Sequence, residues 1–142
     1  MIAEFRGENY FLSNFYPTAV TYDGLTYRNT EAAFQASKTT DLEKRIKFTK
    51  MNPSAAKQAG RRIVLRRDWE SIKENIMYEI CKAKFVQNLR LKEQLLATKD
   101  EYLEEGNTWG DHEWGVSGGY GENKLGKILM RIRIELSPET AN

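Results

Sequence analysis

Glu31 and Lys38 lie seven residues apart in Thr30-Glu31-Ala32-Ala33-Phe34-Gln35-Ala36-Ser37-Lys38, a stretch without a helix breaker. On a helix that spacing puts both on one face with Phe34 or Gln35, two turns and roughly 10 Å apart. One face then offers a carboxylate and an amine, groups that can move protons or, through the amine, attack a carbonyl. A plainer duty competes: Glu31 complements the helix N-terminus and Lys38 its C-terminus, and the helix taken alone reads that way. A second constellation is Glu105-Gly106-Asn107-Thr108-Trp109-Gly110-Asp111-His112-Glu113-Trp114-Gly115, two tryptophans and four ionisable side chains among glycines. Such a loop can approach a ligand closely and stack indole on a planar base or a sugar, or use the tryptophans as core plugs. Gly118-Gly119-Tyr120-Gly121-Glu122-Asn123-Lys124-Leu125-Gly126 follows. Glycine turns entering a helix present N–H groups to anions, yet no strand is evident before this one, so a dinucleotide-binding reading is rejected.

Lys57, Arg61, Arg62, Arg66 and Arg67 form the most basic stretch, a solvated helix face or a set of phosphate partners. Cys81 reads as a buried small hydrophobe and His112, beside Asp111, as a solvated loop residue with acid–base capacity. One cysteine and one histidine exclude a disulfide framework and an ordinary zinc-ligand set. With 22 Lys+Arg against 20 Asp+Glu, the net charge of +2 excludes bulk polyelectrolyte attraction to nucleic acid, while a local patch can still hold phosphates. The 142 residues, 40% hydrophobic, suffice for one ordinary core. No apolar run approaches the roughly 20 residues of a membrane span, and the first residues lack secretory features, so a cytoplasmic protein is expected.

The positioning elements follow from pattern. Val20-Thr21-Tyr22 and Leu25-Thr26-Tyr27 flank Asp23-Gly24, predicting a hairpin with Val20, Tyr22, Leu25 and Tyr27 inward. A short helix follows Asn29 or Thr30, and Thr40-Asp41-Leu42-Glu43 has the form of a capping box for the next. Asn52-Pro53 opens a third helix that Gly60 can stop in a left-handed conformation. Ile72, Ile76, Met77, Ile80, Cys81 and Phe85 mark a long helix from Asp68, and another runs from about Arg90 to Ala97. Residues 104–123 are expected to be mostly loop. Leu125, Ile128, Leu129, Ile132 and Leu136 predict a last helix, preferred to a strand, with residues 137–142 a tail.

In order along the chain stand Phe11-Leu12-Ser13-Asn14-Phe15-Tyr16-Pro17, Glu31-x-x-Phe34-Gln35-Ala36-x-Lys38, Asp111-x-x-Trp114-Gly115 and Gly121-x-Asn123-x-Leu125-Gly126-x-x-Leu129-Met130. Between them lie Arg67-Asp68-Trp69, Lys84-Phe85-x-Gln87-Asn88 and Leu95-Leu96-x-Thr98. This ordered set resembles the NADAR superfamily, the YbiA-like N-glycosidases, across nearly the whole chain. The resemblance implies a mainly α fold, α+β with a minor N-terminal β-hairpin, as a compact single domain over residues 1–136.

It also implies hydrolysis of the C1′–N bond of a ribosylated base without metal or cofactor. The substrate would be a phosphorylated ribosylamino-pyrimidine intermediate of riboflavin synthesis or ADP-ribosylated guanine in nucleic acid. By resemblance the catalytic groups are Glu31, Asp111 and Lys38, and the substrate-binding ones Ser13, Asn14, Phe15, Trp69, Trp114, Gly115 and Asn123. The Trp114–Asn123 loop is shorter than in longer members. Carboxylates would stabilise oxocarbenium character or orient water, while Lys38 could protonate the departing base or form a Schiff base with a ring-opened sugar. Non-catalytic ADP-ribose or nucleotide binding, and nucleic-acid binding as an accessory protein, are the competing readings, and oligomeric state is not legible.

Overall fold

A computed structural model describes residues 1–138. The chain divides into two compact units, residues 14–87 and residues 1–13 with those from Asn88 onward. Of the expected tail, Ser137 and Pro138 are described, and 139–142 lie outside the described residues.

In the 14–87 unit, β1 (Pro17–Tyr22) and β2 (Leu25–Asn29) pair antiparallel with Val20 opposite Tyr27 and Tyr22 opposite Leu25. Asp23 and Gly24 take φ of 50° and 85°, the positive values that a two-residue turn needs. Val20 and Tyr27 are buried. Tyr22 and Leu25 are only half-buried, because the Tyr22 hydroxyl reaches out to donate to Glu79 at 3.1 Å. The Thr21 backbone bonds to one amide: its N–H donates to Gln87 Oε1 at 2.9 Å and its carbonyl accepts from Gln87 Nε2 at 2.8 Å.

Asn29 then caps α1 (Thr30–Ala36), its Oδ1 accepting the Ala32 N–H at 2.7 Å. All seven residues of α1 are buried, and its three alanines let α2, α3 and α4 approach it closely. The helix is shorter than two full turns. Ser37 closes it by donating from Oγ to the Ala33 carbonyl at 2.8 Å, which leaves Lys38 in the turn beyond the helix and corrects the expected two-turn face. The cap of α2 (Leu42–Phe48) is Asp41 rather than Thr40, its Oδ1 accepting from the N–H groups of Glu43 and Lys44. Asn52 caps α3 (Pro53–Gly60) as expected, but Gly60 keeps a right-handed backbone and Arg61 continues it. The long helix α4 (Trp69–Gln87) buries Ile76, Met77, Ile80, Cys81, Lys84 and Phe85.

The other unit holds a short 3-10 helix (Gly7–Leu12), α5 (Leu89–Ala97), the two-residue parallel strands β3 (Gly106–Asn107) and β4 (Val116–Ser117), and α6 (Lys124–Leu136). In α6, Leu125, Ile128, Leu129 and Ile132 are buried while Ile134 is 62% exposed, the helical and not the alternating pattern. Arg133 is buried because its Nη1 donates to Thr98 Oγ1 at 2.9 Å. No described helix is long and apolar enough to cross a membrane.

Candidate active site

Glu31 lies in the first turn of a buried helix, itself only 9% exposed. Two groups define its place. Its N–H donates to the Asn14 carbonyl at 3.1 Å, and its Oε2 accepts from Gln35 Nε2 at 3.1 Å, one turn along α1. Asn14 is in turn held against α4, with Nδ2 3.4 Å from Met77 Sδ and Oδ1 3.8 Å from Cys81 Sγ.

Lys38 lies near this carboxylate. Burial pushes its ammonium below the usual lysine range, Arg61 and Lys73 push the same way, and Glu31 opposes them. The result is an amine that gives up its proton more readily than an exposed lysine, next to a carboxylate. Arg61 and Lys73 add positive charge around it, and Lys57 Nζ lies 6.0 Å over the Phe15 ring.

Trp69 is 4% exposed and packs on Phe34 with ring centroids 5.1 Å apart, so it backs the α1 residue between Glu31 and Lys38. Gly60 meets the same helix: a Cβ there would stand 1.9 Å from Gln35 Oε1, a close approach that only glycine permits. Its lack of a side chain therefore makes room for Gln35 and does not serve a left-handed turn.

One group escapes the sequence reading. Lys84 is 1% exposed, with Nζ 5.7 Å over the Tyr16 ring and 5.1 Å over the Phe85 ring. Burial lowers its pKa to about 8, with the Cys81 thiol opposing. The signal was present: Lys84 is spaced three and four residues from Cys81 and Ile80 on the apolar face of α4. Cys81 itself is buried, its pKa pushed up to about 12 chiefly by burial, so it is no nucleophile near neutral pH.

In the other unit, Asp111 organises the glycine-rich loop. Its Oδ1 accepts from the N–H groups of Glu113 at 3.1 Å and Trp114 at 2.9 Å, and its own N–H and carbonyl bond to the Asn107 amide. Oδ2 makes no hydrogen bond among the described residues, so one oxygen anchors the loop and the other is available to a ligand. The Trp114 ring lies 5.8 Å from Lys124 Nζ, which pairs with Glu113 at 2.8 Å. Gly115 is needed where it stands, since a Cβ would collide with Glu105.

Asn123, expected to position a ligand, spends its amide on the scaffold. Its Oδ1 accepts from Glu105 N–H at 2.9 Å, and its Nδ2 donates to the Leu103 carbonyl at 2.9 Å. His112 stacks on Tyr120 at 4.0 Å, with Nδ1 2.9 Å from the Tyr120 carbonyl. Ser13 follows the 3-10 helix, its N–H donating to the Tyr10 carbonyl. The structure thus gathers Asn14, Glu31, Lys38 and Trp69 in one unit, with Phe15 in the same unit. Asp111, Trp114, Gly115 and Asn123 lie in the other, as does Ser13. Among the described residues no cluster of His, Cys, Asp and Glu is placed to hold a metal ion.

The NADAR domain family matches residues 3–137. N-glycosidase YbiA of Escherichia coli (strain K12) is 39% identical over 131 residues, covering 89% of this chain and 81% of that protein. A riboflavin biosynthesis protein of Vibrio vulnificus is 40% identical over 130 residues, 89% of this chain but only 35% of that longer protein. Among solved structures, the NMR structure of the E. coli protein YbiA superposes with a TM-score of 0.85 at 35% identity, covering 99% of this chain and 86% of that one.

Proposed function

The chain belongs to the NADAR family, and on that premise we propose that it hydrolyses the C1′–N bond of a ribosylated base, with Glu31 as the reacting carboxylate. The observation that carries this reading is a buried carboxylate whose backbone and side chain are both tied, next to a lysine whose proton is loosened by burial. A carboxylate in such surroundings is held in one orientation, as stabilising a developing positive charge requires.

Cleavage of C1′–N leaves the bonding electron pair on the base nitrogen and positive charge on the ribose carbon and ring oxygen. Glu31 stabilises that charge and orients water, whose proton it accepts as the new C1′–O bond forms. Lys38, when protonated, donates to the departing nitrogen. Its lowered pKa also supports a second route, in which the neutral amine adds to C1′ of the ring-opened iminium form of the ribosylamine, the base amine leaves with the C1′–N electron pair and a proton, and water then hydrolyses the lysine imine to release the sugar. Asp111, with one oxygen outside the loop's own hydrogen bonds, is the proposed second carboxylate.

Arg61 and Lys73 add positive charge that suits a phosphate on the sugar, which both candidate substrates carry, and the relative named as a riboflavin biosynthesis protein supports a ribosylamino-pyrimidine 5′-phosphate as the preferred one. ADP-ribosylated guanine is the second candidate, sharing the ribosyl C1′–N bond. The test is mass spectrometry of products from both substrates with wild type and Glu31→Gln. The expected result is release of ribose 5-phosphate from the first by wild type and at least a 100-fold slower release by the variant. Full activity in Glu31→Gln would remove Glu31 from the mechanism, and binding without any product would make the protein a nucleotide-binding module.

A further inference from the structure

Gln35 is 7% exposed, and its two amide ends have unequal surroundings. Nε2 donates to Glu31 Oε2 at 3.1 Å, whereas Oε1 is buried without a hydrogen-bond partner among the described residues. A buried acceptor left in that state is uncommon and costs stability. The oxygen points at Gly60, where a Cβ would stand 1.9 Å from Oε1 and 2.6 Å from Cδ. Since Gly60 ends a helix with a right-handed backbone, alanine would suit it better on conformational grounds. The hydrogen that takes the place of Cβ is directed at Oε1, a weak Cα–H···O contact. Turning the amide over would set Oε1 against Glu31 Oε2, two acceptors facing each other, so an ionised Glu31 admits only the observed orientation.

We propose that Gln35 is a positioning residue for the Glu31 carboxylate, seated by Gly60, and that the pair holds Glu31 ionised and pointed for reaction. This rests on the reading of Glu31 as the reacting group. The other groups acting on this carboxylate's surroundings come from several elements. Lys38 follows its own helix, and Cys81 lies on α4 with Lys84 beside it. Arg61 after α3 and Lys73 on α4 act on Lys38. The hairpin and α2, which pack against α1, carry Tyr27, Asp23 and Arg45, whose influences are on one another and not on Lys38. Of these groups, Lys38 favours the ionised carboxylate by charge, and Gln35 adds a directed donor that fixes one oxygen.

The test follows the Glu31 side-chain carboxyl carbon by NMR through a pH titration, the resonance being identified by its loss in Glu31→Gln. Gln35→Met keeps the volume and removes the donor. Its midpoint should rise by about one to two pH units, the size of one hydrogen bond to a charged acceptor. Gly60→Ala should produce a similar rise by displacing the amide, and should add nothing in a Gln35→Ala background. An unmoved midpoint in Gln35→Met, or a Gly60→Ala effect that is equal with and without Gln35, would overturn the proposal. Should Gly60→Ala fail to fold, Gln35→Met decides alone. Turnover is read separately: full activity in Glu31→Gln defeats the catalytic reading, whereas loss of activity there with unmoved midpoints defeats only the role of Gln35. Where both hold, kcat falls about 10- to 100-fold in Gln35→Met with KM within about twofold, and the acid limb of the kcat profile moves up in pH.

Discussion

The carbonyl of Asn14 accepts the N–H of Glu31 at 3.1 Å while the Asn14 side chain rests between two sulfurs, Met77 Sδ and Cys81 Sγ. Backbone and side chain thus do different work. The carbonyl seats the first turn of α1 whatever side chain stands at residue 14. Among the described residues the amide meets weak sulfur partners, and on the proposal that Asn14 contacts the substrate it would exchange them for a ligand's polar atoms at low cost.

Asn14→Ala separates these roles. The carbonyl remains, so unfolding free energy by urea should fall by only about 1 kcal/mol. KM should rise about tenfold with kcat nearly unchanged, the signature of a lost binding contact. A collapse of kcat at constant KM would instead make Asn14 part of the bond-breaking step.

The Lys38 amine distinguishes the two chemical routes. Because burial lowers its pKa, the neutral amine becomes available at lower pH than in an exposed lysine, and an amine-dependent rate rises with pH through that value. Cyanoborohydride added during turnover should leave a sugar adduct on the peptide containing Lys38, absent in Lys38→Arg. An adduct-free enzyme with normal turnover would leave only direct hydrolysis.

Asp111 has a loop duty and a proposed chemical one. In Asp111→Asn the side-chain oxygen can still accept from the Glu113 and Trp114 N–H groups, so the loop keeps its turn and only the charge is lost. Turnover should fall at least 100-fold with a melting temperature within about 2 °C of wild type. Asp111→Ala should also lower the melting temperature. Equal activity in wild type and Asp111→Asn would leave the residue its loop role alone.

Lys84 links burial to pH. Its folded pKa of about 8 lies below the unfolded value of 10.5, so the unfolded chain binds more protons between those limits. Stability contributed at this site therefore rises with pH from about 8 to 10.5. Below pH 8 the full cost of the buried charge, on the order of 3 kcal/mol, is present. Lys84→Met should be more stable at pH 7 and should flatten that rise, as read by urea unfolding at pH 7 and pH 10. A less stable variant at pH 7 would show that the partners of Lys84 outweigh its desolvation.

Local chemistry was largely legible from residues. Asp23-Gly24 could scarcely be other than a tight turn, Asn52-Pro53 a helix start, and Ile76 to Phe85 a buried helix face, because each is decided by conformational preference or periodicity nearby in the chain. The extent of α1 was not legible. Ser37 can donate back to its own helix or continue it, and only the neighbouring helices decide where the turn falls. Gly60 is ambiguous in sequence for a related reason: glycine reports either a left-handed backbone or a close neighbour, and that neighbour, Gln35, is twenty-five residues away. Glu31 and Lys38 could be singled out by type, but their shared electrostatics depends on packing that no local pattern carries.

The amide of Gln87 has a further consequence. By bonding both the N–H and the carbonyl of Thr21, one side chain does for β1 what a third strand would. Pro17 lacks an N–H, and the ladder is irregular between Pro17 and Val20, so the strand's outward edge offers little regular backbone to pair with. A two-stranded sheet exposed on that side is a template for joining to another molecule's strand, and here the template is already taken. The hairpin therefore carries its own protection against aggregation, supplied by the last residue of the helix that also holds Lys84 and Cys81.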